Sequence, residues 1–85
     1  MSAEITLYSR KECCLCEEMK QVVAPIARQM AAEVKEIDVD STPELQEKFG
    51  SEVPMLFING RKAFKYRVDA RELKERLGRE MRRGS

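Results

Sequence analysis

Three cysteines fall within four residues, Cys13, Cys14 and Cys16, and the 85-residue chain has no others. A disulfide scaffold would spread an even number of cysteines along the chain to close large loops. Clustering points instead to a reducing, cytoplasmic setting in which thiols are kept for chemistry. The chain has no histidine, which removes Cys–His catalysis and Cys/His zinc sites together. What remains is a Cys13-x-x-Cys16 dithiol with an accessory thiol, Cys14, inside it. Three residues are about one helical turn, so Cys13 and Cys16 share a side of any helix that holds them. Cys13 is then the catalytic nucleophile that opens a disulfide, and Cys16 the catalytic resolver that frees the reduced product. Zinc and iron–sulfur proteins also use C-x-x-C, so a metal or cluster carrier is one alternative. Three thiolates so close together cannot close a tetrahedral site from one chain, so that alternative needs a further ligand. A second alternative is an interaction module whose thiols are idle.

The elements that must position this dithiol are legible on either side of it. Glu4–Ser9 alternates polar and apolar residues with Ile5 and Leu7 inward, a strand pattern. From Cys13 the period changes, and Leu15, Met19, Val22, Val23, Ile26 and Met30 form one helical stripe. Pro25 costs a hydrogen bond without shifting the stripe's phase, which predicts a single kinked helix. Cys13 thus sits between a strand end and a helix start. Unpaired N–H groups and the positive end of the helix dipole there favour thiolate over thiol.

Residues 34–39 read as a second strand. Ser41-Thr42-Pro43-Glu44 resembles a capping box with proline in the first turn. It opens a short helix expected to bury Leu45 and Phe49 and to stop at Gly50. Met55–Ile58 is a continuous apolar run, a strand covered on both faces. Asn59-Gly60 signals a tight hairpin into residues 62–65. Asp69-Ala70-Arg71-Glu72 offers a second cap, and Ala70, Leu73, Leu77 and Met81 form the inner stripe of a last helix. Residues 82–85 are expected to fray. The order is β-α-β-α-β-β-α, an α/β chain forming a single domain over 1–85.

Length allows one core and no second. No stretch approaches the ~18 apolar residues of a membrane span. The N-terminus lacks a basic start followed by a long apolar run, so no secretory signal is visible. Charge is uneven: residues 1–60 hold 6 basic and 11 acidic groups, while 61–85 hold 10 basic and 4 acidic, so −5 faces +6. Only Phe64 and Tyr66 interleave with the basic cluster, too few rings for base stacking. The basic end therefore reads as a solvated terminal helix. The expectation is a soluble monomer with no nucleic-acid or membrane partner.

Leu7-Tyr8-Ser9-Arg10 ahead of Cys13-x-x-Cys16, then Val53-Pro54, then Phe57-Ile58-Asn59-Gly60, resembles the glutaredoxin branch of the thioredoxin superfamily. The likeness covers nearly the whole chain, and the Cys13-x-Leu15-Cys16 form most resembles the small glutaredoxin-like proteins. It implies a thioredoxin-type fold, with a four-stranded mixed sheet flanked by helices. It also implies a cis bond before Pro54, which would face the nucleophile and present the Val53 backbone to an extended peptide or glutathione. Arg10 stands where the family carries a lysine that pairs with a glutathione carboxylate, and Asp69 where it uses an aspartate near the γ-glutamyl end. Arg10, Val53, Pro54 and Asp69 are thereby the implied substrate- or glutathione-binding residues. Cys14 and Leu15 replace the family's proline and tyrosine, Glu52 its threonine, and Lys65-Tyr66 its Gly-Gly pair. The implied activity is reduction of protein disulfides or glutathione mixed disulfides. Its partners would be a disulfide-containing protein or glutathione, with glutathione a candidate reductant and no bound cofactor or metal.

Overall fold

A computed structural model describes residues 3–83. Strand β1 (Glu4–Ser9) leads through helix α1 (Cys14–Gln29) to β2 (Glu33–Asp38). A short 3-10 turn, Val39–Ser41, and helix α2 (Pro43–Phe49) precede β3 (Met55–Ile58), β4 (Arg61–Lys65) and helix α3 (Ala70–Arg83). The sheet order is β2-β1-β3-β4, with β1 and β2 parallel and the other neighbours antiparallel. This is the four-stranded mixed sheet with three helices that the resemblance implied.

Alternation along β1 decides the layering. Ile5, Leu7 and Ser9 are buried on one face. The two apolar residues pack there with Met19, Val23, Ile26 and Ala27 of α1, Leu56 and Ile58 of β3, and Leu73 and Leu77 of α3. Tyr8 points to the other face, where it stacks on Phe49 of α2 with ring centroids 4.6 Å apart. Phe57 meets the same ring edge-on at 5.3 Å, so three aromatics fix α2 to the sheet. Ser9 is a buried hydroxyl, and it donates to Glu36 of β2 at 2.8 Å. Lys20 of α1 reaches the same carboxylate oxygen at 2.8 Å, tying α1 to β2.

Local chemistry explains the boundaries. Asn59 and Gly60 both take positive φ, 51° and 82°, as a two-residue type I′ turn requires. The Asn59 N–H donates to the Glu4 carbonyl at 2.8 Å and its side-chain oxygen accepts from the Glu4 N–H at 3.0 Å. The hairpin is thereby pinned to the start of β1. α1 runs unbroken past Pro25, which is exposed, so the ring meets solvent and not the core.

Four expectations need correction. β2 begins and ends one residue early, because Val39 leaves the strand to be buried from the 3-10 turn. Leu45 and Phe49 are only half-buried, since a seven-residue helix resting on rings is shielded on one side. Ala70 is exposed at the first position after its cap, and the inner stripe starts at Leu73. Helix α3 continues through Arg83, whereas Gly84 and Ser85 lie outside the described residues. Among the described residues no helix is long and apolar enough to cross a membrane.

Core and edge should respond very differently to truncation. Leu56 is fully buried in the central strand β3, so Leu56→Ala is expected to cost about 2–5 kcal/mol. Val34 on the edge strand is 46% exposed. Val34→Ala is accordingly expected to cost about 0.5 kcal/mol or less. Equilibrium urea unfolding checks both, read from the midpoint at unchanged slope.

Candidate active site

The chain turns sharply out of β1 through Glu12, whose φ of 56° lies in the left-handed region. Cys13 follows in extended conformation and is the N-cap of α1. Its sulfur accepts the Cys16 N–H at 3.2 Å, the bond that a serine or aspartate oxygen makes at most helix starts. When the thiol is reduced, that N–H and the helix dipole favour negative charge on Cys13. Cys16 is 1% exposed and Cys13 half-buried, so Cys13 is the outer sulfur of the two and Cys16 the inner one. Their Cα atoms are 5.2 Å apart and their sulfurs stand at disulfide-bonding distance. Cys14 is exposed and stays outside the pair. Among the described residues no three His, Cys, Asp or Glu side chains are grouped as metal ligands.

The Val53–Pro54 bond is cis, as implied, and Pro54 is buried. Val53 and Cys13 line one cavity together with Arg10, Lys11, Glu12 and Asp40. Among the described residues the Val53 N–H and C=O make no hydrogen bond, so a backbone edge stands open beside Cys13. The carbonyl of Pro54 is taken, accepting the Tyr66 N–H at 2.7 Å.

The implied charged ligand-binding residues are differently engaged. Arg10 reaches the cavity, but its Nε donates to Asp40 at 3.1 Å and its Nη1 to the Gly50 carbonyl at 3.0 Å. Asp69 caps α3, accepting the N–H groups of Arg71 and Glu72 at 3.2 and 3.3 Å, and does not line the Cys13 cavity. Glu52 pairs with Lys65 at 2.6 Å, so two of the departures from the glutaredoxin pattern answer each other. Tyr66 holds a φ of 69°, and its hydroxyl donates to the Ser51 carbonyl at 3.4 Å. Sequence reasoning missed the Glu52–Lys65 bridge. Opposite charges at two replaced positions were the available signal.

Comparison with known proteins places these features. The sequence profile of the glutaredoxin-like domain (DUF836) matches residues 4–78. A glutaredoxin-like protein of Dictyostelium discoideum is 30% identical over 78 residues, covering 85% of this chain and 72% of that one. An uncharacterized protein of Mycobacterium tuberculosis is 25% identical over 81 residues, 89% of this chain and 84% of its own. Among solved structures, XcR50 from X. campestris superposes with a TM-score of 0.73 at 30% identity, covering 88% and 96% of the two chains. A mutant thioredoxin from Halobacterium salinarum gives 0.68 at 26% identity, covering 92% of this chain and 74% of that one.

The Glu52–Lys65 bridge has a pH signature. Its hydrogen bond to Lys65 holds the Glu52 carboxyl below its ordinary value of 4.5, and the same bond raises Lys65 above 10.5. The Glu52 contribution is complete above pH 4.5 and lost as pH falls through the lowered folded value. That of Lys65 is complete below pH 10.5 and lost as pH rises through the raised one. An NMR titration should place the Glu52 midpoint below 4.5 and return it towards 4.5 in Lys65→Met. A midpoint indifferent to that substitution would dissolve the bridge.

Proposed function

The chain belongs to the glutaredoxin-like (DUF836) family, and on that footing we propose that it is a thiol–disulfide oxidoreductase working through Cys13 and Cys16. One observation carries the reading: a half-buried sulfur capping α1 stands at bonding distance from a fully buried one, beside the open Val53 backbone. Substrates in this reading are protein disulfides or glutathione mixed disulfides, met in a reducing compartment.

The chemistry follows from the two exposures. Cys13 thiolate attacks one sulfur of the substrate disulfide, forming a mixed disulfide and expelling the other sulfur as a thiolate that takes a proton from solvent. Buried Cys16 loses its proton as it attacks the Cys13 sulfur, which closes the Cys13–Cys16 bond and releases the second substrate thiol. Two electrons pass to the substrate, and the chain is left oxidised. Two glutathione thiols, or one dithiol, restore it by the same exchange in reverse. The Cys13 cap matters at both stages, since the N–H that favours its thiolate also makes it a good leaving group.

Three cysteine variants test the assignment. Cys13→Ser should abolish disulfide reduction, because a hydroxyl cannot replace the thiolate. Cys16→Ser should accumulate a mixed disulfide on Cys13, read by peptide mass spectrometry. Cys14→Ser should keep most of the steady-state rate, since the exposed Cys14 lies outside the bonded pair. An adduct on Cys14 in the Cys16→Ser protein would transfer the nucleophile's role to Cys14.

A further inference from the structure

The loop that brings Val53 to the dithiol does little to hold itself in place. Val53 lines one cavity with Cys13, yet among the described residues its N–H and C=O make no hydrogen bond. Its position is therefore set by its neighbours. At the start of the loop the Gly50 carbonyl accepts from Arg10, and the Glu52 N–H donates to the Phe49 carbonyl at 2.9 Å.

Two consecutive residues at the end of β4 grip the loop from the other side. The Tyr66 N–H donates to the Pro54 carbonyl at 2.7 Å, and Lys65 pairs with Glu52 at 2.6 Å. These contacts fall on both residues that flank Val53. The Lys65 ammonium lies 5.1 Å from the centre of the Tyr66 ring, so the tyrosine also attracts the cation that holds Glu52. The Tyr66 hydroxyl adds a longer bond to the Ser51 carbonyl at 3.4 Å. Tyr66 makes its contacts from a φ of 69°, a conformation that tyrosine holds less readily than glycine. Its ring is 41% exposed and lies outside the core cluster, so core packing does not explain it. Backbone strain of this kind persists where surrounding contacts over-determine it, and it gathers beside functional sites.

Resting on the redox reading above, we infer that Lys65 and Tyr66 are positioning residues. Together they clamp the loop that carries Val53, and so fix the wall that a substrate meets as its disulfide reaches Cys13. Neither lines the Cys13 cavity, and neither takes part in the exchange itself. There the reduced dithiol and one disulfide give the Cys13–Cys16 bond and two thiols. A partly exposed ion pair and single hydrogen bonds add little to folding stability, so loosening the clamp alters reactivity more than stability.

The test compares two disulfides in single-turnover oxidation of the chain, reduced with dithiothreitol and freed of it. One is hydroxyethyl disulfide, small enough to meet Cys13 alone. The other is the symmetrical disulfide of a short, capped, uncharged peptide long enough to lie along the cavity wall. Acid quenching, alkylation and mass spectrometry follow the loss of the Cys13 and Cys16 thiols. Lys65→Glu sets two carboxylates against each other, and Tyr66→Gly removes the ring while relieving the backbone. Each should slow the peptide about fivefold more than it slows hydroxyethyl disulfide, the weight of one modest contact. Exchanging the pair, Glu52→Lys with Lys65→Glu, should return the peptide to within about twofold of the wild-type rate. Because the peptide is uncharged, that recovery reports the bridge and not a charge offered to the substrate. An exchanged pair as slow as Lys65→Glu, or variants that slow both disulfides equally, would overturn the inference and leave the redox function standing. The exchanged pair decides alone if Tyr66→Gly fails to fold. A wild-type chain that neither disulfide oxidises at Cys13 and Cys16 would remove the redox reading, and this inference with it.

Discussion

A helix begins with N–H groups that have no partner within it, and in α1 one of them is satisfied by the sulfur of Cys13. The same contact starts the helix and sets a donor N–H and the positive end of the helix against the sulfur of Cys13. It requires that β1 deliver the chain to this point at a fixed angle, which the left-handed turn at Glu12 provides. It also requires that α1 be held against the sheet. Met19, Val23, Ile26 and Ala27 hold it, all buried against the face of β1 that carries Ile5 and Leu7.

The sheet supplies the second half of the site through β3. Because β1 pairs with β2 on one side and β3 on the other, the loop before β3 arrives beside the end of β1. Val53 and Cys13, forty residues apart in sequence, therefore line one cavity. Around them the ion pairs Arg10–Asp40 and Glu52–Lys65 are partly exposed and add little to stability.

Local signals in the sequence were read correctly where one short pattern decides the structure. The alternation of Ile5 and Leu7, the stripe from Leu15 to Met30 and the Asn59-Gly60 turn each depend on near neighbours. Leu45 and Phe49 show the limit, because periodicity tells which side of a helix faces protein but not how much protein is there. Tyr8 was passed over because it falls on the polar phase of β1, although a second layer waits on that side. The cis bond before Pro54 came from resemblance alone, since the ordinary frequency of proline isomers favours trans. Arg10–Asp40 joins residues that only the fold brings together, and no local pattern announces such a pair.

The two outer strands of the sheet leave backbone groups facing water. Strand β2 sets Glu33, Lys35, Glu36 and Asp38 along its length, and β4 sets Arg61, Lys62 and Lys65 along its own. A neighbouring molecule that extended the sheet from either border would have to strip solvent from these ions before forming its first ladder bonds. The register shift between Leu56 and Phe57 also breaks the regular pairing of β3 with β4, so that border is a poor template for a straight strand. The placement of ordinary surface charge thus makes both borders of the sheet poor templates for edge-to-edge pairing.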